Sequence, residues 1–404
     1  MARIRPKRPG AGPTGRTEDR DTLVLPDFLE AGLRAGHPWI YRNHVPDGFT
    51  AKTGSWLRVK AGRTSVWGLW DEDSSIAVRV FSSDGPLTSE VVRERLRHAA
   101  QHRHTQLAAD TTAFRLINGE GDGFPGIVID TYGDYAVIAT YSQATYALLP
   151  WLVEALRNLS IHNVIHRAAA GGENPKAPIE QLLGERPPED LVVTERGVRF
   201  YADLMVGHKT GLYLDQRDNR AKFAEFAARG NVLNLFSYTG GFSVVAGLAG
   251  AVTTSVDISQ PALNRACDNF KLNGLDPKAH TFVAEDCYEY LSRVSNDAPQ
   301  FDAVVCDPPS LARNKAQLDN ALQAYLRLNA LGLRRVRDGG YYAAASCTAQ
   351  VSPEAFRQML ALAVVRAGKS AQVVHEAGHA IDHPIAVGHP EGRYLKFVVL
   401  RVFG

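Results

Sequence analysis

Apolar positions fall into two regimes along this chain: short alternating runs in the first half, and longer strand and helix blocks in the second. A short helix is predicted at residues 27–35, then strands at 55–60, 64–69 and 76–81. The turn residues Ala61-Gly62 and the run 71–74 separate the strands. Such spacing makes a small β-rich module of about sixty residues. Residues 86–104 follow as an amphipathic helix carrying Arg93, Arg95 and Arg97. Strands at 114–117 and 127–129 flank the turn Gly121-Asp122-Gly123, and strands at 135–140 and 164–166 enclose a helix at 144–156. From about residue 196 strands and helices alternate. Strands are predicted at 232–236, 253–256, 281–283, 301–306 and 341–346, helices at 262–273 and 318–335, and a closing strand at 393–403. Alternating β and α elements imply a parallel sheet covered by helices. The pattern divides the chain into an arm (1–21), a β-rich domain (22–84), a central α+β domain (85–195) and an α/β domain (196–404).

Composition changes this picture little. Of 404 residues, 45% are hydrophobic and 22% charged, ordinary values for a folded chain. The arm is the exception. It is rich in Gly, Pro and Arg, cannot bury enough apolar surface to offset its ordering entropy, and is expected to be disordered. The formal net charge is only +2, so any nucleic-acid footprint has to come from local basic patches. Cys267, Cys287, Cys306 and Cys347 show no C-x-x-C spacing, which argues against a structural zinc site and a disulfide framework. No metal is expected, although His375, His379, His383 and His389 gather near the end of the chain. The N-terminus lacks the apolar core of a signal peptide, and no apolar run reaches the eighteen or so residues of a spanning helix. A reducing, cytoplasmic setting without membrane contact is the expectation.

The candidate chemistry sits at the carboxyl ends of successive predicted strands, where open α/β sheets bind ligands. After the first strand comes Phe236-Ser237-Tyr238-Thr239-Gly240-Gly241, whose glycines admit a ligand close to backbone at a helix N-terminus. Asp257, before Ile258, ends the second strand and can accept both hydroxyls of a ribose. Asp286, before Cys287, follows the third and can accept from an adenine amino group. Asp307-Pro308-Pro309-Ser310 follows the fourth. Each acid alone is commonly an ordinary strand-end residue; four in order point to an adenosyl cofactor. The loop lacks the G-x-G-x-x-G of a dinucleotide site and the G-K-[ST] of a P-loop.

With these residues the sequence resembles the three-domain bacterial cytosine-C5 methyltransferases of large-subunit 23S ribosomal RNA. Gly36-His37-Pro38-Trp39-Ile40-Tyr41 resembles their PUA domain, and Glu120-Gly121-Asp122-Gly123-Phe124-Pro125-Gly126 their central domain. Lys209-Thr210-Gly211-Leu212-Tyr213-Leu214-Asp215-Gln216-Arg217 resembles a signature hairpin entering the catalytic domain, and Asp382-His383-Pro384 with Tyr394-Leu395-Lys396 the C-terminal end. The resemblance implies a Rossmann-like methyltransferase sheet dependent on S-adenosylmethionine, preceded by a PUA-like and a central α+β domain. It implies a cofactor site of Phe236, Tyr238, Thr239, Gly240, Gly241, Asp257, Ile258, Asp286, Cys287 and Asp307, walled by Gln216 and Arg217. It implies RNA contacts at His37, Trp39, Arg79 and Lys209, with ribosomal RNA as partner; a homodimer stays open.

The family's nucleophile corresponds to Cys347, in Ser346-Cys347-Thr348, with Asp307 holding the polar edge of the base. Two departures stand out: Thr348 where Ser is common, and Leu311 where an aromatic residue is common. Cytosine C5 is a poor nucleophile until a thiolate adds at C6, so the reaction needs a cysteine of lowered pKa or a nearby base. Cys306 competes for the role but lies within a strand. Two other readings remain open: guanine methylation by a related Asp-Pro-Pro enzyme, and an RNA-binding protein with an inactive methyltransferase fold.

Overall fold

The structure, a computed structural model, describes residues 22–168, 179–205, 210–293, 300–312 and 314–404. The arm and Lys209 lie outside these residues. The chain forms two compact units, Met1–Pro86 and Leu87–Gly404.

The first unit is built on five strands: β1 (Thr22–Val24), β2 (Trp39–Tyr41), β3 (Trp56–Ala61), β4 (Thr64–Trp70) and β5 (Ile76–Ser82). They lie in the order β1-β3-β4-β5-β2, antiparallel except for β1 beside β3. A short helix, α1 (Glu30–Arg34), separates β1 from β2. Leu23, Leu57, Val59, Trp70 and Val78 fill its core. The alternation read in the sequence is that of strands with one face buried.

The second unit opens with α2 (Ser89–Gln106), capped by the Thr88 hydroxyl, which accepts from the Val91 N–H. Its inward positions Val92, Leu96, Ala99 and Arg103 recur at helical spacing. A five-stranded sheet, β6 (Ala113–Asn118), β7 (Ile127–Tyr132), β8 (Tyr135–Thr140), β9 (Asn163–Ala168) and β10 (Ile179–Leu183), runs in the order β10-β9-β8-β7-β6. Between β8 and β9 the predicted helix begins instead as a 3₁₀ segment, Gln143–Leu148. It becomes α3 (Leu149–Asn158) where Pro150 can occupy the first turn without an amide hydrogen. A two-stranded hairpin, β11 (Val192–Glu195) and β12 (Val198–Tyr201), follows. The segment expected to form a hairpin at 209–217 differs: Leu214–Gln216 is a 3₁₀ turn leading straight into α4 (Arg217–Ala227).

The remaining strands are β13 (Asn231–Leu235), β14 (Val252–Asp257), β15 (Thr281–Ala284), β16 (Phe301–Cys306), β17 (Val336–Ser346), β18 (Ser370–Ala377) and β19 (Lys396–Phe403). They form one sheet in the order β15-β14-β13-β16-β17-β19-β18. All pairings are parallel except those of β19 with β17 and β18. Interleaved are α5 (Gly241–Leu248), α6 (Gln260–Leu272), α7 (Cys287–Arg293), α8 (Leu318–Leu333) and α9 (Pro353–Ala367). Ser259 and Ser352 cap α6 and α9, each followed by a proline in the first turn. The closing strand starts at Lys396 rather than 393, because Pro390–Gly392 forms a 3₁₀ turn and Tyr394 and Leu395 turn toward the site. Strand order reverses between β13 and β16, which opens a crevice at their carboxyl ends.

Candidate functional site

A cavity of about 450 Å³ lies at those carboxyl ends. Its first wall is made by the loops after β13, β14 and β15. The loop after β13 holds two non-glycine residues in the left-handed region, Phe236 (φ 58°) and Tyr238 (φ 48°). Such backbone is costly and persists where surrounding contacts enforce it. Here the Phe236 N–H donates to Cys287 Sγ at 3.2 Å, and the Tyr238 N–H donates to Asp257 Oδ2 at 2.8 Å. Gly240 follows at φ 80°, and a Cβ there would lie 2.9 Å from the Cβ of Ala266. The loop therefore presses against α6 and leads into α5.

Asp257 also accepts the Ser259 N–H on Oδ1 at 2.9 Å. Each oxygen of an ionised carboxylate has two acceptor sites, so both oxygens keep one for a ribose hydroxyl. Beside it Ile258 is 75% exposed yet lines the cavity, an apolar surface suited to an adenine face. Asp286 accepts the N–H groups of Tyr288 and Glu289 on Oδ1 at 2.8 and 3.1 Å, capping α7. Cavity size, the Gly241 backbone at its edge and these acceptors fit an adenosyl cofactor.

The second wall is assembled from distant segments. Asp307 follows β16, and its Oδ2 accepts from Gln216 Nε2 at 3.0 Å. Gln216 is itself held by Asn219, whose Nδ2 donates to Gln216 Oε1 at 2.6 Å and to the Gly378 carbonyl at 2.9 Å. Cys347, half-buried just after β17, lines the same cavity. Tyr213 stands between the walls, edge-on to Tyr238 with centroids 5.4 Å apart. Burial, then the neighbouring Tyr238, Asp307 and Cys347, pushes its phenol up, so it stays protonated. The Thr348 hydroxyl receives the Leu311 N–H at 3.1 Å and sits 2.7 Å from the Tyr325 hydroxyl. It thereby ties the Asp-Pro-Pro loop to the Cys347 loop.

Behind this wall lies a buried ionic lattice. Arg217 donates both terminal nitrogens to Asp382, at 2.8 and 2.9 Å, with both side chains buried. Arg103 pairs with Asp122 and also reaches the Asp382 carbonyl. The Arg115 N–H donates to Asp382 Oδ2, and its guanidinium pairs with Asp130. Arg220 pairs with Glu195, and the Asp215 carboxylate accepts from the Tyr394 hydroxyl at 2.7 Å. Burial raises the Asp382 carboxyl, but the His383 hydrogen bond and the Arg217 guanidinium outweigh it and hold it far below the usual range. His383 itself is pushed down by burial and Arg115. It is therefore neutral at pH 7 and acts as a donor through Nδ1, so the charge that matters to Asp382 is that of Arg217.

Most of the expected cofactor residues line the cavity: Phe236, Tyr238, Thr239, Gly241, Asp257, Ile258, Asp286, Cys287, Asp307 and Gln216. Gly240 sits behind them, under the loop. Arg217 does not reach the cavity. It turns into the interior because a carboxylate, Asp382, is waiting there. Arg79, expected to meet RNA, is also buried, opposite Trp39 in the ladder and donating to the Ile76 carbonyl. Two arginines of α2 are likewise engaged: Arg95 donates to the Gly123 carbonyl at 2.7 Å and Arg97 to Glu94 at 2.9 Å. His37 and Trp39 are half-buried and belong to an edge-to-face row, His37–Trp39–Tyr41–His44–Phe28, with centroids 5.6–6.3 Å apart. Glu195 and Arg220 line the cavity without having been singled out from sequence, and Leu395 lines it without having been given a role there. Arg220 and Glu195 are 25 residues apart, and nothing local marks the pair. Among the described residues no three His, Cys, Asp or Glu side chains converge on a metal position, and no helix is long and apolar enough to cross a membrane.

Residues 155–363 match the family of S-adenosylmethionine-dependent methyltransferases, and residues 24–83 match the PUA-like domain. Two proteins named Ribosomal RNA large subunit methyltransferase I are each 35% identical to this chain. One is from Klebsiella pneumoniae (strain 342) and one from Aeromonas salmonicida (strain A449), and the alignments cover 94% of this chain and 98% of each relative. The chain belongs to the ribosomal RNA large subunit methyltransferase I family. Its fold is that of the SMU.776 protein crystallised with SAH (TM-score 0.82, 25% identity, 94% of this chain and 99% of that one). The cofactor of this methyltransferase family member is S-adenosylmethionine.

Proposed function

We propose that this chain forms 5-methylcytosine in large-subunit ribosomal RNA, with Cys347 as a covalent nucleophile and the PUA-like unit as an RNA-binding module. Four observations on the thiols support the choice of residue. Cys306 is fully buried, and burial pushes its thiol far up. Cys287 borders the cavity, but its sulfur accepts the Phe236 N–H and burial pushes the thiol up to about 12. Cys267 sits on α6 and is not among the residues lining the cavity. Cys347 alone of the four combines access to the cavity with a place beside Asp307, and that observation carries the proposal.

In the reaction the Cys347 thiolate adds to C6 of a cytosine, and the C5=C6 electron pair moves toward C5 and the ring. Asp307, oriented by Gln216, binds the polar edge of the base and fixes its position. S-adenosylmethionine supplies an electrophilic methyl group to C5. With S-adenosylhomocysteine left behind, transfer of the C5 proton to water restores the double bond and expels the thiolate. The base must leave its stack so that thiol and methyl donor reach opposite faces. In the PUA-like unit, the row containing His37 and Trp39 offers aromatic surface for RNA bases.

The test is RNA carrying 5-fluorocytosine, whose fluorine cannot leave as a proton does. The expected result is a stable adduct that maps to Cys347, and no methylation by Cys347→Ala although the cofactor still binds. An adduct at Cys306 moves the nucleophile. Methylation by both single Cys→Ala variants sinks the mechanism, promotes guanine as the target base, and is read directly by nucleoside analysis of the product.

A further inference from the structure

The mechanism needs a thiolate, and a nearby cation is what lowers the pKa of a cysteine. We propose that Lys396 is the positioning residue that holds Cys347 as a thiolate, through an ammonium fixed against the Cys347 loop. The placement follows from the sheet. Lys396 is the first residue of β19, and across the antiparallel ladder its partner is Ser346, the last residue of β17 and the neighbour of Cys347. Its Nζ donates to the Thr348 carbonyl at 2.7 Å and to the Tyr394 carbonyl at 2.8 Å. The ammonium is thus pinned to the residue that follows the cysteine. It is 4% exposed.

Two carbonyls are dipoles, and a buried cation asks for an anion. Among the described residues Lys396 makes no ion pair with a carboxylate. A small cavity beside it also touches Glu376 and Arg393, but Glu376 is paired with Arg357 at 2.7 Å. The ionisable group that favours the charged form of Lys396 is Cys347; burial acts against it and brings the ammonium down to about 8. The groups that feel the charge on Cys347 include Tyr213, Tyr325 and Lys396. Both phenols are pushed up by burial and stay neutral, so Lys396 is the cation of the set. The ammonium has three donors and the carbonyls take two, which leaves one for sulfur.

The catalytic meaning of this role rests on the proposed nucleophile; the ion pair itself is measured without RNA. Full-length protein is alkylated with iodoacetamide across a range of pH, and the modification is read at Cys347 by peptide mass spectrometry. The wild-type midpoint should fall below the ~8.5 of a free thiol. Lys396→Met should raise it by about one unit, slowing alkylation at neutral pH about tenfold, while Lys396→Arg keeps the low midpoint. Cofactor affinity by calorimetry confirms that each variant is folded. An unchanged midpoint in Lys396→Met overturns the proposal. A slower reaction at the same midpoint also does, since it makes Lys396 a mere clamp on the loop. Should Lys396→Met fail to bind cofactor, the wild type decides. A cation at the sulfur raises the ratio of iodoacetate to iodoacetamide rates above that of free cysteine, and an equal ratio overturns the proposal. A fluorocytosine adduct at another residue would instead remove the nucleophile and leave the ion pair standing.

Discussion

The two walls of the cavity are built on different principles. On the β13–β15 side, polar side chains mostly hold backbone within a few residues: Asp257 takes Ser259, and Asp286 takes Tyr288 and Glu289. On the β16–β17–β19 side they reach across the chain. Gln216 orients Asp307 from 91 residues away, Lys396 reaches the Thr348 carbonyl across 48, and Tyr394 reaches Asp215 across 179. The first wall is a set of strand-end turns that any matching sequence can rebuild locally. The second exists only once the sheet has closed and the ionic lattice has locked α4 to the loop at Asp382. In the proposed reaction, cofactor binding falls mainly to the first wall and bond-making to the second.

Breaking the lattice should have the largest effect. Asp382→Asn leaves the buried Arg217 guanidinium without its partner and should cost about 3–5 kcal/mol of stability, seen as a lower denaturation midpoint in urea with unchanged slope. Acid unfolding carries the same signature. Because Asp382 is held below its unfolded value, the unfolded chain takes up that proton first as pH falls. Its stabilisation is complete above the unfolded carboxyl's pKa of ~3.9 and drains away below it. The Asn variant should lose that part of the acid limb; identical acid profiles would mean that Asp382 is not the anchor.

On the first wall, Asp257→Ala should weaken S-adenosylmethionine binding by about 1.5–3 kcal/mol, through lost charge-assisted hydrogen bonds. The stability cost should be smaller than that of Asp382→Asn. Calorimetry giving wild-type affinity would take Asp257 out of the cofactor site. Gln216→Leu should show the reverse split. With Asp307 no longer oriented, methylation should slow by on the order of tenfold, about 1.4 kcal/mol, while cofactor affinity holds within a factor of two or so. Equal losses in rate and affinity would place Gln216 with the cofactor rather than the base. The smallest effect is expected for Thr348→Ser. It keeps the hydroxyl that joins the Leu311 N–H to Tyr325 and should change stability by less than about 1 kcal/mol, the cost of one buried methyl. Thr348→Val removes the hydroxyl and should cost more, with slower methylation.

The parallel strands of the large sheet, the strand-end acids and the turn glycines were legible in the sequence by itself, while α4, α7, α9, β18 and the hairpin β11–β12 were not. Periodicity, caps and turns are set within a few residues. Asp257, Asp286 and Gly240 do their work against neighbours in the chain or at the next strand, so their spacing announces them. The roles that the resemblance implied for Arg79 and Arg217 did not fit their burial. An arginine in an otherwise exposed-looking pattern reads as a surface cation, and only the fold supplied Asp382 to bury the second and a sheet face to bury the first. No role could be read from sequence for Glu195, Arg220 or Lys396, and the resemblance implied a hairpin at residues 209–217. A helix start there depends on Gln216 and Arg217 finding Asp307 and Asp382 far along the chain. Burial of charge is decided by partners brought together in space, at separations of 91 and 165 residues here. No window along the sequence contains both members of those pairs, so tertiary structure alone could decide which charges face the cavity and which hold it in shape.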